Sequence, residues 1–158
     1  MKEMAIVLFS FFSLYTYAEP ELKVGIGFVT HEILGLTVPA ISIKEKFNED
    51  YSASAAVGLN TQNEINSYIV GASLFRNAMQ KKYSNLFMNL GLYFLSVGKD
   101  SSSGFKAEIA IGSEFFFQHL ETIGFSVSMG FGLMSLKGQV AFKTIANSFA
   151  NGGVHIYF

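Results

Sequence analysis

The sequence predicts an all-β chain folded as an eight-stranded antiparallel up-and-down β-barrel that crosses a membrane. Three observations point there. The first is alternation, clearest in "ETIGFSVSMGFGLMSL" (121–136), where Ile123, Phe125, Val127, Met129, Phe131 and Leu133 share one parity. Gly124, Ser126, Ser128, Gly130 and Gly132 take the other parity, the period-2 signature of a strand. The second is composition: the chain is 50% hydrophobic and 15% charged, against about 25% charged in an ordinary soluble domain. Beyond the N-terminus, no stretch supplies the ~20 apolar residues of a spanning helix. The third is that apolar segments of roughly strand length recur between short polar or Gly-containing links.

The chain starts "MKEMAIVLFSFFSLYTYAEP". Lys2 and the free amine precede an apolar run, Met4–Leu14, of signal-peptide length. Thr16 and Ala18 place small residues where a cleavage site needs them, so residues 1–18 read as a signal peptide and 19–158 as one barrel domain. Export follows from that reading; the alternative is an uncleaved helical anchor, for which the run is short.

Eight strands follow in order: Leu22–Val29, Leu36–Phe47, Tyr51–Asn60, Ser67–Arg76, Asn85–Val97, Phe105–Phe117, Thr122–Met134 and Phe149–Phe158. In the first, Val24, Ile26 and Phe28 oppose Lys23, Gly25 and Gly27. The second contains Pro39, which lacks a ladder donor and predicts a bulge or edge defect. In the third, Tyr51, Ala53, Ala55, Val57 and Leu59 oppose small or polar residues. The fourth and fifth alternate less cleanly, because Ile69, Phe75, Phe87 and Tyr93 fall on the small, polar side. The sixth sets Phe105, Ile109, Ile111, Phe115 and Phe117 against Lys106, Glu108, Gly112 and Glu114. The links "NED" (48–50), "NAMQKKYS" (77–84) and "QHLE" (118–121) define one end. "THEILG" (30–35), "TQNEIN" (61–66), "GKDSSSG" (98–104) and "SLKGQVAFKTIANS" (135–148) define the other, with "QVAF" (139–142) read as extending a hairpin above the membrane. Links this short join antiparallel neighbours, since parallel crossovers need a dozen residues or more.

Parity alone leaves the solvent of each face open. A soluble barrel would expose the Gly/Ser/Ala/Asn face, which has far too few charges for a water-facing surface. A small transmembrane barrel instead turns its bulky side chains to lipid and fills a narrow interior with small and polar ones. A closed sheet also leaves no backbone donor unpaired in hydrocarbon. Depth agrees. With the mature N-terminus on the periplasmic side, outward Phe47, Tyr51, Phe115, Phe117, Phe125 and Phe158 lie toward one rim. Phe28, Tyr68, Phe94, Phe105 and Phe131 lie toward the other, with mostly aliphatic residues between them. Two aromatic girdles around an aliphatic band are the outer-membrane pattern.

The chain ends "GGVHIYF". Val154, Ile156 and Phe158 share one face and end on an aromatic, which resembles the closing-strand signal of bacterial outer-membrane proteins. With the leader and eight strands, the whole mature chain resembles the small OmpA/OmpX-like outer-membrane barrels. That resemblance implies residence in the outer membrane of a Gram-negative bacterium. The partners it implies are outer-membrane lipids and lipopolysaccharide, with the assembly machinery reading Val154, Ile156 and Phe158. A monomer is expected.

Chemistry is sparse. There is no Cys, hence no disulfide or thiolate metal site, and a net charge of −1 offers nothing to recruit nucleic acid. His31 (first outer link), His119 (a turn) and His155 (last strand, inward) sit at different levels, so no metal site and no cofactor are expected. Some small barrels modify lipid A with His, Ser and a carboxylate near the outer rim. Ser148 has no His at suitable spacing, and a catalytic role is not expected of any residue. The inward charges stand out. Lys44 and Glu114 reach matching depth on opposite strands, with His155 near that level and Lys106 and Glu108 farther out. Buried charges are costly unless paired, so these five read as a polar network filling the lumen. The sequence therefore predicts a non-enzymatic structural or interaction protein of the envelope. The alternatives are a narrow pore or small hydrophobic-ligand channel and, behind them, a lipid A-modifying enzyme.

Overall fold

A computed structural model of the chain describes residues 24–33, 36–62, 65–98, 102–144 and 151–158. The expected leader over residues 1–18 lies outside the described residues. The strands are β1 (Val24–Ile33), β2 (Leu36–Lys46), β3 (Tyr51–Gln62), β4 (Ile65–Lys81), β5 (Ser84–Val97), β6 (Ser102–Phe117), β7 (Leu120–Leu136), β8 (Gln139–Thr144) and β9 (Asn151–Tyr157). All pairings are antiparallel, and β8 and β9 share one position in the wall. β8 pairs with Phe131–Leu136 of β7, and β9 with Ile123–Ser128. The result is a closed eight-stave barrel, sealed where β9 meets β1.

Closure carries a stagger. From Ile26 the register runs through Ile43, Ala55, Ala72, Leu92 and Ala107 to Leu133 of β7. In the other direction, Ile26 meets Ile156, and Ile156 meets Ile123 of the same strand. The circuit is thus offset by about ten residues, which obliges the strands to tilt steeply, as eight-stranded barrels do.

Several elements differ from the sequence reading, and polarity explains most of it. β1 continues through Ile33, so His31 is a strand residue with a buried side chain and does not belong to an outer link. "NAMQKKYS" is mostly strand: β4 runs to Lys81 and turns at 82–83, with a register shift between Asn77 and Met79. "QVAF" belongs to β8, which extends the β7 hairpin and forms the upper part of the eighth stave. Pro39 pairs in register with Thr30 on one side, while the ladder to β3 stops at Ala40. The Asn60 amide bridges the gap by donating to the Thr37 carbonyl at 2.7 Å.

Two turns show local chemistry. Lys137 and Gly138 have φ of 52° and 76°, the double left-handed geometry of a tight primed hairpin, for which Gly is favoured. His119 takes φ 71° in the two-residue β6–β7 turn, so its place there is a matter of backbone shape.

The bulky parity is outside on every stave, from Ile26 and Phe28 to Phe131 and Ile156. Inside, the off-parity residues of β4 and β5 prove to be the filling: Ile69, Phe87, Tyr93 and Leu95 are buried in the lumen. Large inward rings sit over inward glycines. A Cβ on Gly25 would strike the Tyr157 ring, one on Gly91 that of Tyr93, and one on Gly112 would crowd Phe87. Alternating large and small side chains thus lets a narrow barrel fill most of its bore.

Candidate functional site

The lumen is built in layers. At the end carrying the outer loops, Ile33, Val38, Ala40, Ala56, Ile69, Leu95 and Met134 form an apolar plug backed by Val29, Val97 and Leu136. Leu95 and Val38 have 0% exposure. Apolar side chains from β1, β2, β3, β4, β5 and β7 therefore close the bore by hydrophobic contact.

Below the plug lies the first charged level. Lys106 Nζ and Glu108 Oε2 stand 2.8 Å apart on one strand, an ion pair not aligned as a hydrogen bond. Tyr93 is the centre of this level. Its hydroxyl shares a 2.5 Å hydrogen bond with Ser73, its ring lies 4.5 Å from His31, and Lys106 sits 5.7 Å above it.

The second charged level lies toward the short turns. Lys44 donates to Glu114 Oε2 at 2.9 Å, and both side chains are buried. The other carboxylate oxygen of Glu114 accepts from Tyr157 at 2.5 Å. Lys44 also stands 4.8 Å from the Phe75 ring centroid and 5.5 Å from that of Phe87, and those two rings meet edge to face. His155 Nε2 and Ser42 Oγ share a hydrogen bond at 3.2 Å. So the structure joins Lys44 to Glu114 and Lys106 to Glu108, while His155 bonds Ser42. Sequence reasoning missed Tyr157, Ser42, Tyr93 and Phe75 as members. Inward parity beside His155 was the available signal for Tyr157.

Between the levels is a chamber of about 60 Å³ bordered by His31, Asn89, Glu108, Ser126, Ser128 and His155. Both nitrogens of His31, Oδ1 of Asn89 and Nδ1 of His155 have no hydrogen-bond partner among the described residues. Buried polar atoms of this kind take ordered water, and the space suits about two molecules. Among the described residues, no group of three or more His, Asp or Glu could hold a metal. The Ser42–His155 contact has the geometry of a nucleophile and its base, but Ser42 is only 1% exposed, which leaves its hydroxyl little room to meet a substrate.

The mouth at the turn end is a recess of about 210 Å³ floored by Lys44, Glu114 and Tyr157 and rimmed by Lys46, Asn77, Gln80, Lys81, Lys82, Asn85 and Glu121. A side-chain hydrogen bond with Tyr83, then the Glu121 charge, raise the pKa of Lys82 above the ordinary lysine value. On the outer surface of the last stave, Val154, Ile156 and Phe158 all point away from the lumen and are exposed.

No family model and no curated protein matches the chain. Solved structures do. Neisserial surface protein A (NspA) superposes with a TM-score of 0.51 at 13% identity, over 87% of this chain and 96% of that one. Ail, the attachment invasion locus protein of Yersinia pestis, aligns with a TM-score of 0.42 at 17% identity, over 87% and 96%. The fold is that of the small, eight-stranded, OmpA/OmpX-like outer-membrane barrels.

Proposed function

We propose that this chain is an outer-membrane barrel that serves the cell envelope as a structural and interaction protein, with its lumen sealed rather than conducting. One observation carries the reading: the bore is blocked twice, by the apolar plug around Leu95 and Met134 and by the buried Lys44–Glu114 level. The chamber between them, about 60 Å³, is far below the ~300–1,000 Å³ of a typical ligand pocket. Interactions therefore fall to the lipid-facing wall, the rims and the outer loops. Outer-membrane lipids and lipopolysaccharide would cover the apolar wall. Val154, Ile156 and Phe158 would be read by the assembly machinery before closure, and the protein would work as a monomer after signal-peptide-directed export.

Planar-bilayer recording tests this against a pore. The folded protein should give no single-channel steps. Replacing Leu95 and Met134 together with Ser should not open a path by itself, because the ion-paired level remains. Discrete conductance from the wild-type protein would overturn the sealed-lumen reading. Lipid A from cells with and without the gene should have the same mass; a difference would favour an enzyme.

A further inference from the structure

The recess at the turn end joins basic side chains from two separate hairpins. Lys46 ends β2, whereas Lys81 and Lys82 sit at the tip of the β4–β5 hairpin. Three contacts lash that tip over the β2–β3 turn. Asn77 donates to the Glu49 carbonyl at 2.8 Å, Gln80 donates to the same carbonyl, and Lys46 donates to Gln80 Oε1 at 3.4 Å. The backbone supports them, with Asn77 N–H donating to the Asp50 carbonyl at 2.7 Å.

Charge around the recess is unbalanced. Its lining includes Lys44, Lys46, Lys81 and Lys82 against Glu114 and Glu121. Lys44 and Glu114 neutralise each other on the floor. Three ammonium groups then face one carboxylate, and among the described residues none of the three has a carboxylate within ion-pair distance. Glu45, Glu49 and Asp50 lie on the neighbouring strand and turn but do not line the recess. The surplus is two positive charges, which matches the roughly −1.5 to −2 of a phosphate monoester near neutral pH. A single carboxylate ligand would leave a cation unmatched. Lysine ammonium groups bind phosphate as point charges, and the Asn77 and Asn85 amides that line the recess add neutral donors.

We propose that the turn-end recess is a binding site for a phosphate dianion, either free phosphate or the phosphomonoester headgroup of a lipid. The site lies outside the sealed lumen and is independent of whether the lumen conducts. Lys46, Lys81 and Lys82 hold the anion, and Asn77 and Asn85 orient it.

The test uses the full-length folded protein in a phosphate-free detergent at constant ionic strength. Inorganic phosphate is titrated while the side-chain amide resonances of Asn77 and Asn85 are followed by NMR. A saturable shift is expected, weakened at least tenfold in the Lys46→Gln/Lys81→Gln/Lys82→Gln variant. Heat-modifiable gel migration checks that the variant folds; if the triple change prevents folding, Lys82→Gln alone, in the exposed turn, should weaken binding about threefold. A second arm titrates short-chain phosphatidic acid. Binding at least tenfold tighter than inorganic phosphate identifies a lipid headgroup as the source, and comparable binding identifies a soluble anion. A linear response that sodium chloride reproduces, or variant binding equal to wild type, overturns the proposal.

Discussion

Glu114→Leu is the most telling perturbation of the lumen. Glu114 accepts from both Lys44, at 2.9 Å, and Tyr157, at 2.5 Å. The lysine and carboxylate side chains are only 9% and 5% exposed, so water cannot fully substitute for either. Removing one member of a buried pair generally costs about 3–5 kcal/mol, because the other charge is left uncompensated. Two features pull the value to the lower end of that range. The lysine stem is flexible and can carry its ammonium toward the recess below it, and the Phe75 and Phe87 rings already face the cation. About 3 kcal/mol is expected for Glu114→Leu. Lys44→Met should come close to it, since Glu114 then keeps only the Tyr157 hydroxyl as a partner. The double variant abolishes both charges and leaves chiefly an orphaned Tyr157 hydroxyl, a loss of roughly 1–2 kcal/mol. Urea titrations of folding into lipid vesicles, read by gel mobility, would measure all four corners of the cycle. The coupling should exceed about 2 kcal/mol. Additivity within about 0.5 kcal/mol would show that the pair does not act as a unit, and the charged level would lose its rationale.

Val127 is outward and 46% exposed, so Val127→Arg should destabilise the membrane-inserted barrel by roughly 2–4 kcal/mol, whereas Ser102→Lys at the loop-end start of β6 should be near neutral; equal folding efficiency of the two would invert the assignment of faces. Gly25→Ala drives a Cβ to 2.7 Å from the Tyr157 ring and should cost about 1–3 kcal/mol by overpacking. Combined with Tyr157→Leu the total should fall short of the separate losses, and strict additivity would refute the ring-over-glycine contact. N-terminal sequencing of the mature, membrane-extracted protein should begin at Glu19, and an intact Met1 would remove the processing expectation.

The wall of this barrel was legible in the sequence because lipid demands apolar side chains at every second residue, whatever the neighbours. Legibility failed where that demand ends. The tip of β4, "NAMQKK", reads as a loop because a strand that has left the hydrocarbon meets water on both faces and needs no alternation. His31 was misplaced for a related reason: Thr30, His31 and Glu32 are polar in sequence, yet β1 carries them in unbroken register with β2. The interior was half legible. Lys44, Glu114, Lys106 and Glu108 announced themselves as charges on the inward parity, and matched depth on opposite strands already set Lys44 against Glu114. The neutral partners Tyr157 and Ser42 come from other strands, and which of them meet those charges and His155 depends on the stagger of the closed sheet, which no single strand encodes. Ile69, Phe75, Phe87 and Tyr93, read as blemishes in the pattern, are the residues that block the bore or flank its charges.

The seating of inward rings on glycines sets terms for how such a chain can drift. Outside, one aliphatic residue serves as well as another, so the lipid face can be rewritten a letter at a time. Inside, Tyr157 rests against Gly25 and Gly124 on the two staves that flank it, while Tyr93 rests against Gly91 in its own strand. A bulkier residue at any of those glycines is tolerated only once the ring has shrunk, and a smaller ring leaves a hole until a glycine grows. The lumen must therefore change in linked steps spread over neighbouring strands, whereas the outer face can vary freely.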